Sequence, residues 1–523
     1  MSADFGWGDI QQWLQERKNI AQRLHYEMDI DERFLDATAV WGGTDLEPYI
    51  SGLPEGMRAR LPPIAKDAVD ISVNQVMVGD EPSVRVIVPP ARGGKNTTAS
   101  EQQVENLERK LQSLLWFIDT YGSETPLRQF MADTLSLGMG VLSYPLARDR
   151  QLHYPFRLRN GRRREPRNAS ERQIARRWEQ HRLRTIPWLV RSLHPKRALP
   201  EPYTDPPDDM LTEETVSIRK YAALYQNMPV TPAQRAMSIS GTLITYCSDL
   251  YYGLWLDDHP LLGPKDGATD GLAENTLGSV WFKIARAGFG RNNYRGQPEY
   301  KIRGILRDAR DVISMYISAV NQVESIRSVY AFPILDAQGP SKVQVENELQ
   351  GLVFGPAAIF KHSESVRVTV MALPQVPSFV LEAIGQLQRF LEVHFGPEVL
   401  RGVRAGPETL EGQRGRLAQA KAPLRPAKMS GEQAVAGMLM DMCESIRYEL
   451  DLEEPLLFPG NANENFVELG PDDIPDNFRI KVDFAPPTAE ERAREAEDRL
   501  RKMKDHVMSR RRVMEADASL NSV

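Results

Sequence analysis

The chain has 523 residues, 41% of them hydrophobic and 26% charged, with a formal net charge of −6. That length exceeds one small core and predicts about two to four structural units. The acidic balance excludes an ordinary duplex-clamping protein, which carries a basic surface, but not one that surrounds DNA without gripping it. No run of about eighteen apolar residues occurs, so no membrane span is expected. The start, Met1-Ser2-Ala3-Asp4-Phe5, lacks the basic and apolar parts of a secretory signal. Cys247 and Cys443 are the only cysteines. They are too few for a disulfide framework and fit a reducing compartment.

In chain order, Trp13, Leu14, Ile20 and Leu24 mark an amphipathic helix. Pro62–Pro63 opens a second, Ile64–Val78, with Ala65, Ala68, Val69, Val73, Val76 and Met77 on its buried face. Gly79 and Pro82 end it. Val84, Val86 and Val88 alternate as a strand closed by Pro89–Pro90, and residues 91–100 form a flexible link. Helices are expected over Glu101–Ile118 and Pro126–Leu137, the latter running through Gly138-Met139-Gly140 into a strand, Val141–Pro145. Composition then shifts: residues 151–200 hold 14 Lys or Arg against 3 Glu. Within them Asn168 and Glu171 form a capping box, and Ile174, Ala175 and Trp178 give one thin apolar stripe on a basic helix. From Leu193 to Arg303 the pattern is β-rich, with strands at Thr215–Tyr221, Thr242–Cys247, Tyr251–Leu256 and Val280–Ala285.

A long amphipathic helix, Gly304–Arg327, follows, with Leu306, Ala309, Val312, Ile313, Tyr316, Val320, Val323 and Ile326 at three- and four-residue steps. Pro333 and Gly339–Pro340 close it, and Val366–Val370 alternates as a strand. A second helix, Ser378–Phe395, carries Val380, Leu381, Ile384, Leu387, Phe390, Leu391 and His394, and stops at Gly396–Pro397. The two helices flank a compact β-rich insert, a stalk with a head. Val399–Gly412 is rich in Gly and Pro. A helical region runs from about Gln413 to Leu450, interrupted near Pro423 and Pro426. Residues 454–486 are loop and strand. Thr488 and Glu491 form a second capping box opening a helix to His506, and Ser509 opens a last short one. There is no internal repeat. The mixture is α+β.

Enzyme signatures are negative. Arg92-Gly93-Gly94-Lys95-Asn96 resembles the end of a P-loop, but position 89 is Pro and no Ser or Thr follows Lys95, so a flexible linker is the reading. The eight His residues are scattered, none at metal-ligand spacing. Cys443 sits on an apolar helix face as a buried thiol, and His394 is a core or interface histidine. Gly288-Phe289-Gly290 joins two strand-like runs without opening a helix and reads as a hairpin loop. The pairs Asp208–Asp209, Asp257–Asp258 and Asp472–Asp473 lie in Pro-containing loops and read as solvated turns. No cofactor, metal or enzymatic activity is expected. The basic run, including Arg162, Arg163, Arg164, Arg176 and Arg177, is open between a solvated arm and a contact with nucleic acid or an acidic partner.

The order of elements resembles the portal proteins of tailed double-stranded DNA bacteriophages. The resemblance rests on several local patterns. Asn74 lies in a helix running into the Pro-bounded strand Glu81-Pro82-Ser83-Val84-Arg85-Val86. Asp133–Gly140 followed by Val141-Leu142 is similar to the family's helix, Gly-rich turn and strand. Leu193-His194-Pro195 with Pro200–Asp205 matches its proline-punctuated strand and loop. Pro298–Ile305 leads into the stalk as a portal wing leads into its stem, and Pro374–Gln419 resembles the second stem helix, tunnel loop and following helix. The match covers most of the chain by order and pattern, and the basic insert before Leu193 departs from it.

This resemblance implies a portal fold: wing at 1–303 with the basic insert at about 150–192, stem helices at 304–327 and 377–396, clip at 328–376, tunnel loop at 397–412, a long wing or crown helix at 413–453 and a crown at 454–523. It implies a ring, usually a dodecamer, at one capsid vertex of the virion. Double-stranded DNA would pass through it. The large terminase would dock on the clip, and major capsid, scaffolding, head-completion and tail-adaptor proteins would be partners. In such a ring Arg401 and Arg404 would offer positive charge to phosphates from the tunnel loop. Glu382, Gln386, Arg389 and Glu392 are the candidates for the channel wall. A DNA-processing enzyme, such as a terminase subunit or nuclease, and a cellular ring or scaffold protein are the alternatives.

Overall fold

The computed structural model describes residues 5–36, 63–77, 82–88, 98–121, 125–146, 156, 164–182, 186–202, 204, 207–218, 240–264, 267–292, 295–331, 335–349, 366–370, 378–395, 421–450, 452, 455–460 and 466–484. The chain opens with α1 (Trp7–Leu35), α2 (Ile64–Val76), β1 (Ser83–Ile87), α3 (Thr98–Tyr121), α4 (Pro126–Leu137), β2 (Met139–Ser143) and α5 (Ala169–Arg182). A strand-rich stretch follows: β3 (Arg191–Leu193), β4 (Ala198–Pro200), β5 (Asp209–Ser217), β6 (Ser240–Ser248), β7 (Tyr251–Leu256), β8 (His259–Pro260), β9 (Leu272–Glu274) and β10 (Phe282–Arg286). Then come α6 (Pro298–Lys301), α7 (Arg310–Ala331), β11 (Leu335–Gln338), α8 (Lys342–Leu349), β12 (Arg367–Val370) and α9 (Ser378–Phe395). The last elements are α10 (Arg425–Tyr448), β13 (Leu456–Phe458), β14 (Val467–Leu469) and β15 (Arg479–Asp483). Helix and sheet are mixed, as an α+β chain requires. The predicted helix from Thr488 and the short one from Ser509 lie outside the described residues.

Two compact units emerge, one drawn from Met1–Asp31, Val69–Ile305 and Arg414–Val523, the other from Glu32–Ala68 and Leu306–Gln413. The first is built on an antiparallel sheet in the order β4-β5-β6-β7-β8, with β9 also paired to β7. Alternation sorts its side chains. Ile244, Tyr246 and Trp255 face Ile10 and Leu14 of α1, while Leu243, Leu256, Leu261 and Ala273 fill the opposite face. Trp255 is buried, stacked on Trp7 at 4.7 Å. Gly253 makes room for that indole, since a Cβ there would lie 2.1 Å from its ring. Arg17 locks α1 to the sheet through Asp209 at 2.6 Å and the Leu199 carbonyl at 3.0 Å.

A second sheet, β10-β2-β3, packs against α4 and α10, which also touch each other. Tyr144 Oη donates to the Asp441 carboxylate of α10, and Lys283 Nζ lies 2.8 Å from the same group. Burial first, and then Asp441, push the Tyr144 phenol well above its ordinary range. Both cysteines are buried thiols; burial pushes Cys247 up to about 12 and raises Cys443 further. Antiparallel pairing of β1 with β15 joins sequence ends about 400 residues apart, from Ser83 opposite Asp483 to Ile87 opposite Arg479.

The predicted helix from Gly304 is corrected: α7 begins at Arg310, after a 3-10 turn at Arg307–Ala309. The backbone before it is committed elsewhere. Ile305 N–H donates to the Leu135 carbonyl at 2.8 Å, capping the open end of α4. Gly304 sits so close that a Cβ would lie 1.7 Å from the Ser136 oxygen. The expected hairpin at Gly288-Phe289-Gly290 is also corrected. β10 ends at Arg286 and leads into a loop braced on α6, where Arg291 N–H donates to the Tyr300 carbonyl at 2.8 Å. The strand expected at Thr215–Tyr221 is β5, which starts earlier, at Asp209, because its register is set by the whole length of β6. The break expected near Pro423 and Pro426 is a 3-10 turn between helical residues, Lys421 before it and Arg425 after it, and the predicted stretch 413–420 lies outside the described residues. That turn, Ala422–Leu424, passes into α10 with proline in the first turn, where a missing N–H leaves no bond unmade.

Glu449, half-buried just past α10, has its carboxyl raised to about 7 from 4.5, by burial first and then by Glu444. Its folded-state value lies above its unfolded value, so the folded chain binds more protons between about pH 4.5 and about pH 7. Stability therefore falls as pH rises through that window. Glu449→Gln is expected to flatten the fall and to raise the thermal midpoint at about pH 8 while leaving it nearly unchanged at about pH 4; thermal melts across the window check this.

Candidate functional site

The second unit is organised around two helices. In α7, Ala309 just before it, then Ile313 and Ile317 recur at four-residue steps and are buried. Two polar residues share the interior. Ser314 and Asn321 are buried, and Asn321 Nδ2 donates to the Ile317 carbonyl at 2.8 Å, one turn back along its own helix. The helix α9 packs against α7, burying Leu391 and Phe395. The exposed His394 ring meets the Phe395 ring edge-on at 5.1 Å, so it lies at the margin of this contact and not within it.

The insert between the helices is an antiparallel hairpin, Leu335 opposite Val370 through Gln338 opposite Arg367, with α8 inside its loop. The β-rich reading of the insert missed α8. Its start is nonetheless written locally: Ser341 Oγ accepts from Gln344 N–H at 3.3 Å and approaches the Gln344 side chain at 3.4 Å, a Ser-x-x-Gln cap. Val366, at the foot of β12, is buried, whereas Val343 on α8 is exposed.

Opposite the buried side of α9 lies a polar face. At about 100° per residue, Glu382, Gln386 and Arg389 fall within an arc of about 60°, and all three are exposed. The fourth wall candidate, Glu392, falls about 80° from Glu382. It is half-buried and accepts from Gln388 Nε2 at 3.0 Å, so the structure does not bring it together with the other three.

The apolar pattern of α9 is wider than one contact uses. Leu381 and Phe390 read in sequence as part of a single buried stripe, yet they are 57% and 64% exposed. Each flanks the polar face, Phe390 about 75° to one side and Leu381 about 105° to the other. The signal was present in the sequence. Two adjacent pairs, Val380–Leu381 and Phe390–Leu391, spread an apolar arc too broad for one neighbouring helix. Met315 on α7 is also 51% exposed.

The remaining candidates lie elsewhere. Arg401, Arg404, Arg162 and Arg163 are outside the described residues. Arg164 is half-buried, 3.0 Å from Glu171 and with its guanidinium 5.4 Å from the Phe156 ring centre. Arg176 and Arg177 are exposed on α5, where Ala175 and Trp178 are buried but Ile174 is not. The acidic pairs do not converge. Asp209 pairs with Arg17, and Asp473 with Lys110 at 2.6 Å, so neither is merely solvated. Asp257 and Asp258 form the β7–β8 turn with φ of 47° and 68°. No described helix is long and apolar enough to cross a membrane.

No protein-family model and no curated protein matches the chain. Among solved structures, one described as the neck of an empty GTA particle computed with C6 symmetry aligns over 89% of this chain and 90% of its own. It is 11% identical, with a TM-score of 0.39, too low for the likeness to bear on fold or function.

The two kinds of apolar residue on the helix pair are expected to respond differently to truncation. Ile313→Ala should destabilise the dilute subunit by about 2–5 kcal/mol, and Phe390→Ala should change it by no more than about 0.5 kcal/mol. Urea unfolding followed by tryptophan fluorescence measures both.

Proposed function

We propose that this chain is the subunit of a portal ring, the channel through which double-stranded DNA enters and leaves a phage capsid. The observation that carries the reading is the α7–α9 pair with its inserted hairpin. Its second helix has a buried back, a polar front and one exposed apolar side chain at each margin of that front, Leu381 and Phe390. A lone subunit leaves both flanks in water. A ring covers them, because a head-to-tail contact sets one flank of each copy against the opposite flank of the next and closes after a fixed number of copies. The polar fronts then line the bore.

In this reading the pair is the stem, the β11–α8–β12 insert is the clip, and the first unit supplies the wing and crown. Glu382, Gln386 and Arg389 form the wall. Mixed charges at that surface, in a chain of net charge −6, give DNA no continuous cationic track to settle on, which suits sliding. Arg401 and Arg404 touch phosphates transiently from the tunnel loop. The large terminase docks on the clip during packaging, head-completion and tail-adaptor proteins dock later, and capsid and scaffolding proteins surround the wing. The portal is not the motor and performs no chemistry, so it uses no cofactor.

Two experiments test this. In sedimentation velocity the wild-type chain is expected to run as a ring of about twelve copies. Leu381→Asp with Phe390→Asp should run as a folded monomer, and a double variant that still forms rings would contradict the interface. Arg401→Ala with Arg404→Ala should assemble normally yet package or retain less DNA. Normal packaging by that variant would reject the tunnel-loop role.

A further inference from the structure

The basic stretch is not absorbed by a ring and a bore, and α5 shows how it is built. Its buried side holds Ala175 and Trp178, which seat the helix near β13. Its acid is turned to local use. Asn168 Oδ1 accepts from Glu171 N–H at 2.7 Å, while Glu171 accepts from Arg167 N–H at 2.6 Å and from the Arg164 guanidinium at 3.0 Å. These bonds, Arg164 first, hold the Glu171 carboxyl below its usual range.

The outward side is different. Arg172, Arg176 and Arg177 are exposed and, with Gln173, occupy an arc of about 140°. None of the three guanidinium groups has an ion-pair partner among the described residues. By contrast Arg17, Lys110, Arg191 and Lys428 each meet a carboxylate within 3 Å. The only other acid beyond the first turn of α5 is Glu179, at its margin. Three unpaired positive charges held on one rigid face repel one another, and an external polyanion relieves that repulsion.

We propose that the outward face of α5 binds the phosphate backbone of duplex DNA, through Arg172, Arg176 and Arg177, at a site separate from the stem. The residue type favours phosphate: three guanidinium groups and no lysine, each able to bond two oxygens at once. The face carries no aromatic side chain for stacking, so it reads backbone and not sequence. The choice of DNA among polyanions rests on the portal reading, which brings a duplex to this chain; the charged face itself does not.

The test uses the full chain and a labelled duplex of about 30 base pairs. Fluorescence anisotropy gives affinity over a series of salt concentrations, and sedimentation of the same samples gives the oligomeric state. For the wild type, affinity is expected to fall steeply with salt. In Arg172→Ala/Arg176→Ala/Arg177→Ala, the slope of log affinity against log salt should drop by up to about 0.9 for each arginine removed, with the oligomeric state unchanged. The matching triple lysine variant should recover most of the slope. An alanine variant with wild-type affinity and slope overturns the proposal, as does poly-glutamate binding as tightly as DNA with the same arginine dependence, which would make the partner an acidic protein. A wild type that stays monomeric yet binds DNA through these arginines would reject the ring and leave this site standing.

Discussion

A helix about 33 Å long, as 22 residues of α7 make it, is not stable on the strength of one partner. In the packed pair α7–α9, Ile313, Ile317, Leu391 and Phe395 are buried while Leu381, Phe390 and Met315 are exposed. Most helix stability in proteins comes from tertiary packing of the apolar face, and here that face is wider than the subunit can cover. The unsatisfied flanks are the constraint on which the functional reading depends. In the proposed ring further copies would cover them, lying beside each other with the polar strips facing one way.

The first unit differs in pairing many of its charged groups internally. Arg17 takes both Asp209 and a backbone carbonyl, Asp441 takes both Tyr144 and Lys283, and Glu432 accepts from Phe484 N–H at 3.0 Å while Lys428 reaches Asp483. These are partly buried, hydrogen-bonded charges, and removing one partner would leave the other uncompensated. The unit's two thiols are buried and held protonated, and its acidic pairs serve turns and ion pairs. The exposed arginines of α5 stand on a helix whose own acid, Glu171, has been turned toward its cap.

Much of this was legible in the sequence wherever a local rule decides the outcome. Pro126–Leu137 and Ser378–Phe395 were read to the residue because proline and glycine bound them. Tyr251–Leu256 was read because alternation and the Asp257–Asp258 turn agree. What failed was set at a distance. Gly304–Ala309 has helical periodicity, but the Ile305 N–H is taken by the Leu135 carbonyl near the end of α4, a contact across about 170 residues. β5 was placed too late because β6 fixes its register. In the candidate site, periodicity located the polar face of α9 yet assigned Leu381 and Phe390 to the core and Glu392 to the wall. Spacing alone gives an angle round a helix and not what stands opposite it. The Ser341–Gln344 cap of α8 was readable and was overlooked, since the insert was judged by its strand.

The central claim is that the two flanks of α9 meet in neighbouring subunits. Both native cysteines are buried, so new thiols can be labelled selectively. With cysteine introduced at Leu381 and at Phe390 in one chain, a short flexible bis-maleimide added under native conditions reports the contact. The account predicts a ladder of covalent multimers that ends at the ring, while either single substitution yields no species beyond a dimer. Exclusive recovery of uncrosslinked or internally linked monomer from the double variant would contradict it.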